Sequence, residues 1–370
     1  MSTKRSRTDL KVAIVQDWLI GGGAERVLYE IHRMFPDAPI YTSYCTDEWR
    51  NKLDDKVVTG YLQKWPFSRL RKFLPVLRIW WFSRLNLSNY DLVISCSSSG
   101  EAKAARAKSG SIHINYCHAP THYYWSRYET YLDQPGFGRL DPLARLGLRL
   151  LVSPLRRWDY KVMQKPNFII ANSTYTKDGI KKYYNRDSTV IFPPVDISRF
   201  EVNPQKRHGF VIAGRQTPYK RIDLAVEACT KLSLPLTVIG RGPDNARLRS
   251  LAGPTIEFLT SVPDVDMQKY FGSSEAFLFP GVDDFGVVAV EAQAAGTPLI
   301  AYKNGGALDY VTEGKTGLFF TEQSVESLCS ALNEFSKYKF NYQLIRESTE
   351  RFTPQIFSVE LNEFIDKSLK

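Results

Sequence analysis

Five cysteines in 370 residues, Cys45, Cys96, Cys117, Cys229 and Cys329, form no C-x-x-C pair. An odd number without paired spacing argues against a disulfide framework or a cysteine-ligated zinc site, and points to a reducing compartment. Long apolar runs are also missing: no stretch approaches the roughly 18 residues that a membrane-spanning helix needs. Residues 1–9 are charged and lead into LKVAIVQDWLI, which ends in Asp-Trp without a small-residue cleavage site. That segment is expected as a first core strand rather than a leader, in a soluble or membrane-surface protein on the cytosolic side. The dinucleotide fingerprint G-x-G-x-x-G is absent from the first strand–turn–helix unit, whose turn reads GGGAER, and no acidic residue closes a second strand. NAD binding therefore has little support, while a phosphate or sugar over that helix start remains open.

What is present is length and positive charge. A chain of 370 residues exceeds one typical domain and suggests two α/β halves. Its 49 Lys and Arg against 39 Asp and Glu leave a formal charge of +10, which suits phosphates, nucleic acid or an anionic membrane without choosing among them. Short apolar strands at 11–16, 40–44, 91–95 and 112–116 predict an open, largely parallel sheet in the first half. The rigid Pro193-Pro194-Val195-Asp196 segment, followed by polar NPQKRHG, is the best domain boundary. Strand–helix alternation then restarts at residue 210. Residues 352–369 have the spacing of an amphipathic helix able to cross back onto the first half.

The second half is organised around residues 276–302, AFLFPGVDDFGVVAVEAQAAGTPLIAY. It predicts strand, loop, helix and strand, with the helix opening near Gly286, Val287 and Val288, where free N–H groups favour an anion. Glu291, about one turn in, reaches back toward hydroxyls on that anion, because helical side chains tilt toward the N-terminus. Arg215 and Lys220, in GRQTPYKR just past a predicted strand, would bind a diphosphate and stabilise charge growing on it as a leaving group. His118 follows the strand at 112–116 and suits a hydrogen bond to a substrate hydroxyl, with His122 as its rival. Asp283-Asp284 are sequence neighbours whose side chains diverge, and Asp264 and Asp266 follow Pro263, so loop and cap roles are expected for both pairs. In the first half, Lys64 to Leu85 carries six Lys and Arg, no acid, and Trp65, Phe67, Phe73, Trp80, Trp81 and Phe82. Interfacial contact with anionic lipid, or core aromatics with a solvated basic rim, would each explain it, and nucleic-acid stacking less well. Arg139 to Lys161 could extend the same basic face, its later part reading as a core helix carrying Trp158.

Taken in order, GGGAER, YCHAP, ANSTYTKDGI, IFPPVD, GRQTPYKR, IGRGP, FLTSVPD and DDFGVVAVEAQAAGTPLIA resemble the retaining glycosyltransferases of family 4 over nearly the whole chain. The PPVD and GRxxPYKR pattern is similar to bacterial O-antigen and exopolysaccharide mannosyltransferases. The resemblance implies the GT-B fold: two facing Rossmann-like domains, 1–196 binding acceptor and 197–351 binding donor, with a C-terminal helix, 352–370, returning to the first. It implies that Arg215 and Lys220 hold the donor diphosphate with the amides of Gly286, Val287 and Val288. Glu291 would take the ribose hydroxyls, His118 and Asp283 the transferred sugar, and Gly22 and Gly23 would line the wall near phosphate and acceptor. Asp283 stands where the family has glutamate, one methylene longer. Also implied are a GDP- or UDP-sugar co-substrate, no metal or other cofactor, no nucleic acid, and a lipid-linked glycan acceptor. A sugar-nucleotide 2-epimerase on the same fold and a non-catalytic glycan-binding module are the alternatives.

Overall fold

The computed structural model describes residues 10–70, 75–98, 100–133, 138–203 and 206–370. The chain divides into two units, the first running to Pro194 and resuming over Gln355–Lys370, the second spanning Val195–Pro354. Against the expected boundaries, the junction lies two residues earlier, and the return three residues later. Backbone bonding accounts for the shift: the Val195 amide donates to Phe352 O at 2.7 Å, tying both ends of the second unit together.

The first unit contains strands β1 (Val12–Gln16), β2 (Ile40–Thr42), β3 (Val57–Thr59), β4 (Asn86–Leu87), β5 (Leu92–Ser97), β6 (Arg106–Ala107), β7 (Ile112–Cys117), β8 (Phe168–Ala171) and β9 (Thr189–Val190). Seven form a sheet in the order β3-β2-β1-β5-β7-β8-β9, paired in parallel throughout, while β4 and β6 pair separately. β1 is buried at every position, as expected for a strand covered on both faces. Ile14, Ile94 and Ile114 share a core with Val27, Leu28 and Ile31 of the helix Gly23–Met34. The C-terminal helix Pro354–Ser368 adds Phe357, Leu361 and Ile365 to that core, at i, i+4 and i+8. Each contributes on the order of 2 kcal/mol, so the last residues of the chain are structural to the first unit.

In the second unit, β10 (Phe210–Ala213), β11 (Leu236–Ile239), β12 (Ile256–Leu259), β13 (Ala276–Phe279), β14 (Leu299–Tyr302) and β15 (Gly317–Phe320) form a parallel sheet in the order β12-β11-β10-β13-β14-β15. Strand order reverses between β10 and β13 here, and between β1 and β5 in the first unit. Loops leaving the carboxyl ends of such a strand pair diverge and open a crevice for ligands. No helix among the described residues is long and apolar enough to cross a membrane.

Candidate active site

In the second unit, the loop after β10 places Arg215 outward and exposed, while its neighbour Gln216 is fully buried. The Gln216 amide holds the loop from below: Nε2 donates to Gly240 O at 2.9 Å, and Oε1 accepts from Asn245 Nδ2 at 2.6 Å. Backbones meet there. A Cβ on Gly240 would stand 2.1 Å from Gly214 O, and one on Gly242 equally close to Gln216 O, which is why both positions are glycine.

The loop after β13 lies directly against this one. A Cβ on Gly281 would sit 2.8 Å from Lys220 O, so the two backbones are in contact where strand order reverses. Across that contact, Lys220 Nζ pairs with the Asp283 carboxylate, both side chains largely buried. The loop is braced from behind as well: Gly306 N donates to Asp283 O at 2.8 Å, and Tyr310 OH to Phe285 O at 2.8 Å. Gly286 has φ 93°, a left-handed conformation in which a Cβ would stand 2.6 Å from the Phe279 ring. Helix Val287–Ala294 starts there without a side-chain cap, leaving its first amides to a ligand or solvent. The expected opening near Gly286 to Val288 is thus where this helix begins.

Glu291 lies on the second turn of the helix and is 7% exposed. Its Oε1 accepts from Arg199 Nη2 at 2.8 Å, and Arg199 also stands 3.5 Å from Asp196 Oδ2 and 3.7 Å from Asp264 Oδ2. Arg199 escaped the sequence reading: 92 residues from its partner, in a short turn after the Pro-Pro break, it carries no local signal. The expected cap role for Asp264 and Asp266 needs correcting. Asp266 occupies the cap position of Met267–Ser273, but neither carboxylate makes a capping hydrogen bond, and Asp264 faces Arg199 instead. Among the described residues, no group of three His, Cys, Asp or Glu side chains stands close enough to hold a metal ion.

In the first unit, His118 leaves the end of β7, with its amide on Ser97 O at 2.9 Å and its ring 5.1 Å from that of Tyr116. Its rival His122 pairs Nδ1 with Ser126 Oγ at 2.8 Å. Gly22 and Gly23 are exposed in a turn that Glu25 ties back, Oε1 accepting from Ile20 N at 3.2 Å and Gly21 N at 3.1 Å. Behind these loops runs a buried polar frame that the motifs did not reveal. Asp17, after β1, accepts from the amides of Ser98 at 2.7 Å, Gly100 at 3.2 Å and Ala102 at 2.7 Å, joining the loops of the reversing strand pair. Lys103 Nζ meets Asp159 Oδ1 at 2.8 Å, both essentially inaccessible to solvent. Asp159 also accepts from Thr121 Oγ1 at 3.0 Å, Trp125 Nε1 at 2.7 Å and Tyr184 OH at 2.6 Å, so it clamps the segment that leaves His118. Burial, with Asp159 adding to it, holds the Tyr184 hydroxyl well above its ordinary pKa, so it stays a donor.

Lys64 to Leu85 proves mixed. Trp65, Phe67, Val76 and Trp80 are exposed, whereas Phe82 is fully buried and Arg78 pairs with Glu101 at 2.7 Å inside the unit. Burial opposes the charge on Arg78, and Glu101 more than offsets it, raising its pKa. Phe73 and its neighbours at 71–74 lie outside the described residues.

Comparison with known proteins places this geometry. The family model described as Glycosyltransferase Family 4 matches residues 21–199, and that described as Glycosyl transferases group 1 matches residues 195–352. The alpha-1,3/1,6-mannosyltransferase ALG2 of Dictyostelium discoideum is 22% identical, with 98% of this chain and 99% of that one covered. A GDP-mannose-dependent alpha-(1-6)-phosphatidylinositol monomannoside mannosyltransferase of Mycolicibacterium smegmatis is 26% identical over 52% of this chain and 56% of its own. Among solved structures, Anabaena HepE in complex with UDP and glucose superposes with a TM-score of 0.68 at 16% identity, covering 96% of this chain and 99% of that one. The lipopolysaccharide outer core galactosyltransferase WaaB gives 0.66 at 19% identity, over 97% and 99%. With the two models running in succession over 21–352 and the whole-chain likeness in fold, this chain belongs to the family 4 glycosyltransferases and has the GT-B fold.

Proposed function

We propose that the chain transfers mannose from GDP-mannose, with retention of configuration and without a metal, to a lipid-linked glycan at the cytosolic membrane face. The observation that carries this reading is the meeting of the Lys220 and Asp283 loops at the reversal point of the second sheet, beside an uncapped helix start. In the proposed donor complex, Arg215, Lys220 and the amides of Gly286, Val287 and Val288 hold the diphosphate, and Glu291 accepts from the ribose hydroxyls. The bond from C1 to the diphosphate oxygen breaks as the acceptor oxygen bonds C1 on the same face. The departing phosphate oxygen takes the acceptor proton. The sugar passes through an oxocarbenium-like state, so the protein needs no nucleophile. Its task is to neutralise the leaving group and orient the acceptor. Asp283, shorter than glutamate, serves in this reading as partner of the Lys220 ammonium as well as of the sugar. His118 meets the transferred sugar, and Gly22 and Gly23 border the phosphate and acceptor.

Relatives named as GDP-mannose-dependent phosphatidylinositol monomannoside mannosyltransferases support both the donor and a lipid acceptor. Peripheral contact with anionic lipid is assigned to the exposed part of Lys64 to Leu85, where Arg84 stacks 4.1 Å over the Trp80 ring. The test is thermal-shift screening against GDP-mannose, UDP-glucose and UDP-N-acetylglucosamine, followed by radiolabelled transfer. GDP-mannose should raise the midpoint most, with Arg215→Ala and Glu291→Ala abolishing the shift. A chain that binds donor yet neither hydrolyses nor transfers it is a binding module, and the proposal fails.

A further inference from the structure

The helix Asp141–Met163 in the first unit has two faces of opposite fate. Val152, Leu155, Asp159 and Val162 turn into the protein. On the other side, Leu143, Leu146 and Leu150, at i, i+3 and i+7 with Leu151 alongside, are 67%, 54%, 68% and 47% exposed. Helical spacing places Leu143, Leu146 and Leu150 on one stripe roughly opposite the buried one, with Leu151 on its flank. Isolated exposed leucines are ordinary, but a continuous leucine stripe two turns long is not a surface that water favours.

Charge identifies what covers it. Between Asp141 and Asp159 the helix carries Arg145, Arg149, Arg156 and Arg157 and no acid. Arg145 is engaged inward, donating to the carbonyls of Leu132 at 3.0 Å and Asp133 at 2.7 Å. Arg149 and Arg157 are exposed beside the leucines. A second copy of this chain would bring arginine against arginine with no carboxylate on the stripe to answer it. An anionic bilayer offers hydrocarbon to the leucines and phosphates to the arginines. We propose that the Leu143–Leu151 face of this helix beds into the surface of an anionic membrane, lying in its plane. This contact uses residues other than Lys64 to Leu85 and does not depend on the donor or acceptor reading.

The placement has a consequence for the site. The same helix clasps the segment leaving His118: Asp159 holds Thr121 and Trp125, Arg156 stacks on Tyr128 at 4.9 Å, and Arg145 takes the Leu132 and Asp133 carbonyls. Seating the helix on lipid therefore steadies the path from His118 to Asp133.

Sedimentation of the full chain with vesicles of mixed phosphatidylglycerol and phosphatidylcholine tests the proposal. The double variant Leu143→Ser/Leu150→Ser should bind about tenfold more weakly, with its thermal midpoint unchanged because both side chains are exposed. Arg149→Glu/Arg157→Glu should weaken the preference for anionic over pure phosphatidylcholine vesicles. Hydrogen exchange with vesicles present should slow within 121–133 and 141–151. Undiminished binding by the leucine variant overturns the proposal, as does slowed exchange confined to other segments. So does a wild-type dimer that the leucine variant converts to monomer, since a second copy would then be the occupant.

Discussion

Both units must hold loops at the carboxyl edge of an open parallel sheet, and they do so with opposite materials. In the second unit the loops touch. Glycines at 240, 242, 281 and 306 let backbones approach, and the charged pair Lys220 and Asp283 closes across the contact, partly open to solvent. In the first unit the loops are held from behind by charges that solvent does not reach: Asp17 on three amides, Lys103 on Asp159. The residues that shape the second site are thus the ones that would meet a ligand. Those that shape the first are framework. Substitutions should therefore separate activity from stability in one unit and merge them in the other.

The largest effect expected from this contrast is on stability, at Asp159. Asp159→Ala strands the Lys103 ammonium, whose side chain is 1% exposed, and removes the acceptor of Thr121, Trp125 and Tyr184. Breaking one side of a buried pair costs about 3–5 kcal/mol. Urea unfolding of the full chain should show a first transition weakened by that amount, with the second unit's donor-induced shift retained. A loss below about 1 kcal/mol, the ordinary yield of a surface pair, would mean that the frame is not what holds these loops.

Next comes Lys220→Ala, which should act on rate. Removing a preorganised charge from the leaving group lowers kcat by about a hundredfold to a thousandfold in comparable sites. The Lys220 side chain is 20% exposed against 1% for Lys103, so the unfolding midpoint should fall less than in Asp159→Ala. If it falls as far, the two units are built alike after all.

This contrast also explains what was legible in the sequence. GRQTPYKR and PGVDDFG are each a single short segment, and because they follow β10 and β13 their residues land together; reading them in order was enough. The Pro-Pro junction and the C-terminal helix were legible for a similar reason, since a rigid break and a stripe at i, i+4 and i+8 are local signals. Asp17 and Asp159 are different. Each is one acid among many, and their partners lie up to 85 residues away. The helix at 141–163 shows a further limit. Its sequence has apolar residues on both sides, so periodicity alone does not say which side faces inward. The expectation centred on Trp158, yet Trp158 is only partly buried and Asp159 is the residue that anchors the helix.

Arg199 offers the finest test, because it is a framework residue inside the unit whose loops are otherwise proposed to touch ligand directly. Its Nη2 donates to Glu291 Oε1 at 2.8 Å, so it should orient the carboxylate rather than bind donor. A hydrogen bond between charged groups contributes about 1.5 kcal/mol, and Arg199→Met should accordingly raise donor KM about tenfold with kcat nearly unchanged. Donors lacking one ribose hydroxyl separate orientation from general damage. If Arg199 acts through Glu291, the variant's penalty shrinks on the deoxy donor, because the contact being oriented is already gone. Glu291→Gln should behave in the same way on the same donors. An Arg199→Met penalty equal on both donors, beside a Glu291→Gln penalty that differs, would place Arg199 among residues that hold the fold and leave Glu291 to face the ribose unaided.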